Sequence, residues 1–134
     1  MTIFNYALIY VSAIVAFLAI DGVWLLVIAK DFYRSRLGDL FAPTLPAAAI
    51  FYLVYTLGLC IFVVVPALTR GSLSYALMYG ALFGFFAYAT YDLTNLATLK
   101  NWSLTLSVVD MCWGAVLSAS VAALSYTVGK LFIS

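Results

Sequence analysis

The chain has 134 residues, of which 67% are hydrophobic and 8% are charged. Because a soluble domain carries about 25% charged residues, this composition excludes a water-soluble globular protein and indicates an integral membrane protein. The net charge of +1 and the lack of any basic run indicate that nucleic acid is not a partner.

Four apolar segments are long enough to cross a membrane as helices, which takes about 20 residues. They cover residues 3–29, 46–68, 73–99 and 103–131. The second and third connections are short, so the helices that they join must run antiparallel. We therefore predict an all-α fold, an integral membrane four-helix bundle with antiparallel up-down topology, in which residues 1–134 form a single transmembrane domain with membrane lipids around it.

The first connection, Lys30 to Leu45, is long and polar and holds five of the eleven charged residues. Its side of the membrane receives four basic residues and the side of the termini receives two. By the positive-inside rule we expect this connection in the cytoplasm and both termini outside. The first apolar run lacks a basic leader and an A-x-A cleavage site, so we expect it to remain in the mature protein.

Three aspartates, Asp21, Asp92 and Asp110, lie within the apolar segments, where a charge costs roughly 2.5–3.5 kcal/mol. Asp21 precedes Lys30 by nine residues, Asp92 precedes Lys100 by eight, and Asp110 follows Lys100 by ten. At the helical rise, each lies about 12–15 Å from the cytoplasmic boundary. Small residues at i, i+4 spacing accompany the last two aspartates and let membrane helices approach closely. We therefore expect the three carboxyls to converge in one layer.

The same pattern, D-x-x-W, begins at Asp21 and at Asp110, and it places an indole one helical turn from each carboxyl. No basic residue lies at this depth, so we expect at least one aspartate to be protonated, or a cation to be bound among them, unless protonated aspartates serve as polar contacts between helices. The site that we predict around the three aspartates comprises Trp24, Tyr88, Tyr91, Thr94, Asn95 and Trp113.

The chain contains neither histidine nor glutamate. Serine–histidine and cysteine–histidine catalytic pairs are thereby excluded, and no nucleotide-binding glycine pattern is present. Cys60 and Cys112 form no C-x-x-C pair and are interpreted as packing residues. We expect neither a bound metal nor a cofactor.

Three strings carry a resemblance to a known family: DGVWL at 21–25, YDLTNLATL at 91–99 and DMCWG at 110–114. Together they resemble an uncharacterised bacterial family of membrane proteins, domain of unknown function 2177, over nearly the whole chain. The resemblance implies a small four-span protein of the bacterial inner membrane. It implies no activity.

Our leading hypothesis is a small binding or transport protein whose aspartate layer holds a proton, a cation or the polar head of a lipid or other amphiphile. By analogy with small four-span transporters, we also consider a homodimer. One alternative is a membrane-embedded enzyme that acts on a lipid through an aspartate general acid or base. Another is an accessory subunit of a larger membrane complex. A further alternative ends the third helix at Tyr91, which would leave residues 92–99 in a turn at the membrane surface.

Overall fold

The computed structural model describes residues 1–133, which form four long helices and one short α-helix, with a single 3-10 turn at Gly38–Leu40. In chain order they are α1 (Ile3–Ile28), α2 (Lys30–Leu37), α3 (Leu45–Arg70), α4 (Leu73–Thr98) and α5 (Leu104–Phe132). The four long helices are long and apolar enough to cross a membrane, which confirms the predicted all-α fold. Their ends agree with the predicted ends to within two residues. The alternative that ends the third helix at Tyr91 is wrong, because α4 continues to Thr98.

Local sequence signals determine where the helices begin and end. A hydroxyl side chain accepts a hydrogen bond from the first turn of α1, α4 and α5, and the capping residues are Thr2, Ser72 and Ser103. Such caps satisfy backbone N–H groups that have no partner within the helix. Pro46 lies in the first turn of α3, where its missing N–H costs nothing. Gly71 ends α3 with a left-handed backbone, φ +63°, and so allows the tight turn into α4.

Two of the long helices each contain one widened, π-helical turn, Trp24–Ile28 in α1 and Cys60–Val64 in α3. The first of these closes α1, where the backbone N–H of Ala29 donates to the carbonyl of Trp24 at 2.7 Å. The short helix α2 starts immediately afterwards. Ala29 and Tyr33 are both buried, against Leu106 of α5, so this end of the bundle has a small core of its own.

The closest helix packing is between α4 and α5. A Cβ at Gly80 would lie 3.0 Å from the Cα of Ala119, and one at Gly84 would overlap the carbonyl of Gly114. Only residues without a side chain allow the two backbones to come this near. The glycine stripe therefore faces α5, in agreement with the predicted packing face.

The main core lies between the long helices and includes Ile9, Phe17, Leu59, Leu117 and Val121. Many large apolar side chains on the outer faces of the same helices are exposed. A soluble protein rarely exposes so much contiguous apolar surface. This surface is suited to contact with lipid, and it agrees with the multi-pass membrane location.

Candidate functional site

A cavity of about 740 Å³ lies at the end of the bundle that carries α2. Its volume falls within the usual range of small-molecule sites, roughly 300–1,000 Å³. Two buried carboxyls, Asp21 and Asp110, line a wall that is otherwise mostly apolar, and the exposed bases Lys30 and Arg34 line it as well. Aromatic side chains from α2, α3, α4 and α5 contribute to the wall, among them Tyr33, Tyr52, Tyr55, Tyr88, Tyr91 and Trp113.

Asp21 is held by two hydrogen bonds, one to each of its carboxyl oxygens. The Tyr52 hydroxyl donates to Oδ2 at 2.8 Å, and the Trp113 indole N–H donates to Oδ1 at 3.0 Å. Asp21 as a whole residue is 5% exposed. Since Tyr52 belongs to α3 and Trp113 to α5, these bonds connect three helices through one side chain.

Asp110 is held by a different aromatic donor. The Tyr33 hydroxyl donates to its Oδ1 at 2.6 Å, and the Trp24 indole N–H donates to the Tyr33 oxygen at 3.2 Å. The rings of Trp24 and Trp113 stack, with centroids 4.3 Å apart and planes inclined by 11°. Each tryptophan is therefore linked by hydrogen bonds to the aspartate of the other helix. Trp113 of α5 donates directly to Asp21, and Trp24 of α1 is connected to Asp110 through Tyr33.

Tyr33 lies in α2, outside the membrane spans, yet its side chain is buried. Burial, followed by the negative charge of Asp110, raises the pKa of the Tyr33 phenol well above its ordinary value of about 10. The phenol consequently keeps its proton at neutral pH and remains a hydrogen-bond donor to Asp110.

Asp92 is placed differently from the other two aspartates. It is 0% exposed, it does not line the cavity, and neither of its carboxyl oxygens has a hydrogen-bond partner of good geometry within residues 1–133. The Asp110 carboxyl lies beside it. Asp110 is thus the common neighbour of the other two aspartates: Asp21 and Asp110 share the cavity, whereas Asp92 adjoins Asp110 without lining it. Over the same residues, no three acidic or cysteine side chains are grouped so that they could hold a metal ion.

Four of the remaining predicted site residues are at the cavity and two are not. Tyr88 and Tyr91 line the cavity with Trp113, on which Trp24 stacks. Thr94 is exposed, and its hydroxyl donates to the backbone carbonyls of Thr90 and Tyr91. Asn95 is half-buried and does not line the cavity, but its side chain contacts Tyr91, which does. Neither Thr94 nor Asn95 therefore forms part of the cavity wall.

The profile of a family described as predicted membrane protein, DUF2177, matches residues 6–127. The chain belongs to this family. The family resemblance drawn from the aspartate-containing strings is thereby confirmed. Comparison with curated proteins and with solved structures gave no match. The family description is consistent with a multi-pass membrane location and assigns no activity to this DUF2177 protein.

Sequence reasoning missed the two tyrosines that hold the carboxyls of this DUF2177 protein. Tyr52 carried a usable signal, because a phenol within an apolar span needs a hydrogen-bond partner. Tyr33 carried none, since its position near a span end is typical of an interfacial aromatic residue. Its burial follows from the widened turn at Trp24–Ile28 and the packing of α2, which the sequence pattern does not reveal.

Proposed function

We propose that this DUF2177 protein binds a membrane-dissolved amphiphile with a cationic head group, which Asp21 and Asp110 hold at the cavity. The observation that carries the proposal is a pair of buried carboxyls in a largely apolar cavity whose only basic side chains among residues 1–133, Lys30 and Arg34, are exposed. Within residues 1–133, every hydrogen bond that these two carboxyls accept comes from an uncharged donor, namely Tyr33, Tyr52 or Trp113.

The charge balance of the cavity favours a cation. A buried carboxylate is costly unless it is paired, and hydrogen bonds from neutral donors offset that cost only in part. Lys30 and Arg34 also line the cavity, but both are exposed, so water and salt screen their charges. A cation between Asp21 and Asp110 would supply the missing countercharge where screening is weakest.

The aromatic wall favours an alkylated ammonium group over a bare metal ion. Tyr52, Tyr88 and Trp113 line the same cavity as the carboxyls. An ammonium group near such rings gains roughly 0.5–2 kcal/mol per favourable cation–π contact. The aliphatic remainder of the wall suits an alkyl chain, and the volume of about 740 Å³ leaves room for one.

The three tryptophans of the chain provide a direct test. Trp102 and Trp113 line the cavity, and Trp24 stacks on Trp113. A quaternary alkylammonium with a brominated chain, added to the protein in detergent micelles, should quench the fluorescence saturably. An uncharged brominated alcohol of the same chain length should quench weakly and without saturation.

Substitutions then identify the carboxyls. Asp21→Asn and Asp110→Asn should each weaken the affinity of the saturable quenching by at least about tenfold, since losing one buried countercharge costs on the order of 1.4 kcal/mol or more. Asp39→Asn is the matched control, because Asp39 is exposed and does not line the cavity. Equal quenching by the ammonium and the alcohol would refute the proposal. Recovery of a chemically altered amphiphile would instead point to a lipid-modifying enzyme.

A further inference from the structure

We propose that Asp92 holds a proton that it shares with Asp110, and that this proton is released when a cation binds in the cavity. The inference deepens the proposed function and depends on it for the ligand. It assigns a role to a carboxyl that does not touch the cavity, and it makes ligand binding dependent on pH.

The surroundings of Asp92 favour its protonated form. The side chain is 0% exposed, and both of its oxygens are sealed from solvent without a hydrogen-bond partner of good geometry among residues 1–133. An ionised carboxylate without donors is strongly disfavoured in such a place, whereas a neutral carboxylic acid is tolerated and gains an O–H donor. The Asp110 carboxyl, beside it on α5, is the acceptor at hand.

The packing of α4 holds the pair together. Gly80, Gly84 and Asp92 are buried residues of α4, spaced at multiples of four along one face of the helix. A Cβ at Gly84 would overlap the backbone of α5, and one at Gly80 would be tightly crowded by it, so the two helices are in close backbone contact here. Asp110 already accepts the Tyr33 hydrogen bond at Oδ1, and its other oxygen is the acceptor that we assign to the Asp92 proton.

The ionisable groups around the pair offer it no buried positive charge. From α1 the neighbour is Asp21, and from α2 it is Tyr33. α3 contributes the phenols of Tyr52 and Tyr55, and α4 itself contributes those of Tyr88 and Tyr91. The bases that line the cavity, Lys30 and Arg34, are exposed. Within the described part of the chain, a proton is therefore the cation that the pair can hold until a ligand arrives.

Exchange of the two cations keeps the charge of the buried site constant. When the ligand cation binds beside Asp110, the O–H bond of Asp92 breaks, and the proton passes by way of Asp110 to water in the cavity. The oxygen keeps the electron pair, so no oxidant or reductant is needed. One positive charge enters and one leaves, which spares the site an additional buried charge.

The test uses the full chain in weakly buffered detergent solution with a pH-indicator dye. Dodecyltrimethylammonium is the probe, because this quaternary cation carries no titratable proton of its own. Wild type should release about one proton per bound ligand. Its affinity should rise up to about tenfold for each pH unit across the pH range in which binding releases that proton. Asp92→Asn should still bind the probe, with no proton release and no pH dependence. Asp39→Asn should behave as wild type.

Each outcome separates the two claims. Saturable binding by wild type with no proton release and no pH dependence would overturn this inference and leave the proposed function standing. Proton release that persists in Asp92→Asn would assign the proton to another group and also overturn it. If that variant does not fold, the pH dependence of wild-type binding decides the matter alone. Absence of saturable binding by wild type would refute the proposed function, and this inference with it.

Discussion

Replacing Gly84 with alanine should damage the contact between α4 and α5 that sets Asp92 against Asp110. A Cβ at this position would overlap the backbone carbonyl of Gly114 and the hydroxyl of Ser118. The first obstacle is backbone, so relief requires the helices to move apart. Overpacking of this kind costs roughly 1–3 kcal/mol, and the better helix propensity of alanine returns at most about 1 kcal/mol. With the full propensity gain, the net loss is up to about 2 kcal/mol, or up to roughly a thirtyfold shift in the unfolding equilibrium.

The assay is reversible unfolding in mixed micelles of mild and denaturing detergent, followed by helical circular dichroism. Gly22→Ala is the matched control, because a Cβ at Gly22 has nothing within 4 Å to meet. That variant should be as stable as wild type or slightly more stable. The Gly84→Ala protein should also release less proton per bound dodecyltrimethylammonium, since its carboxyl pair is spread. Equal stability of the two alanine variants would refute the close-approach reasoning.

Three further expectations concern the tyrosines and the orientation. Because the pKa of Tyr33 is raised, its contribution to stability is complete below the unfolded pKa of about 10 and is lost only as pH rises through the folded pKa. The difference in tyrosinate absorbance between wild type and Tyr33→Phe should therefore show no titration near pH 10. Titration of one phenol near pH 10 in that difference would contradict the prediction. Tyr52→Phe removes a donor to Asp21, so the free energy of unfolding should fall by about 1–3 kcal/mol, and an unchanged unfolding midpoint would argue against that bond. In intact cells, a membrane-impermeant thiol reagent should label Thr69→Cys and spare Ser35→Cys; the reverse pattern would overturn the predicted orientation.

The depth of the three aspartates in the membrane explains why each needs a partner. Asp21, Asp92 and Asp110 lie six or seven residues from the loop-side ends of their helices, or about 9–11 Å along the axis. This depth is smaller than the depth of about 12–15 Å predicted from the sequence, because the helix ends lie two to four residues closer to the aspartates than Lys30 and Lys100 do. Residues at that depth are removed from bulk water, so each needs a partner from the protein or from a ligand. Asp21 and Asp110 have neutral donors within the protein, and Asp92 has none of good geometry among residues 1–133.

The sequence by itself determined the spans, the antiparallel order of the helices and the closely packed face of α4. Each is a local property. Lipid requires every backbone polar group to be satisfied within the segment, so an apolar run of about 20 residues has to be a helix. Short connections leave only antiparallel neighbours. The glycines at positions 80 and 84, four residues apart, identify a contact surface without any knowledge of the partner helix.

Tertiary structure alone decided which donor serves which carboxyl. Helical spacing tells which residues share a face, but not how each helix is rotated against its neighbours. The rotation of α4 turned Asp92 toward α5 and left Thr94 exposed. The widened turn at the end of α1 brought Tyr33 of α2 into the bundle, where it donates to Asp110 across 77 positions of sequence. Such long-range pairings depend on the packing of several helices at once, so no pattern within one segment could predict them.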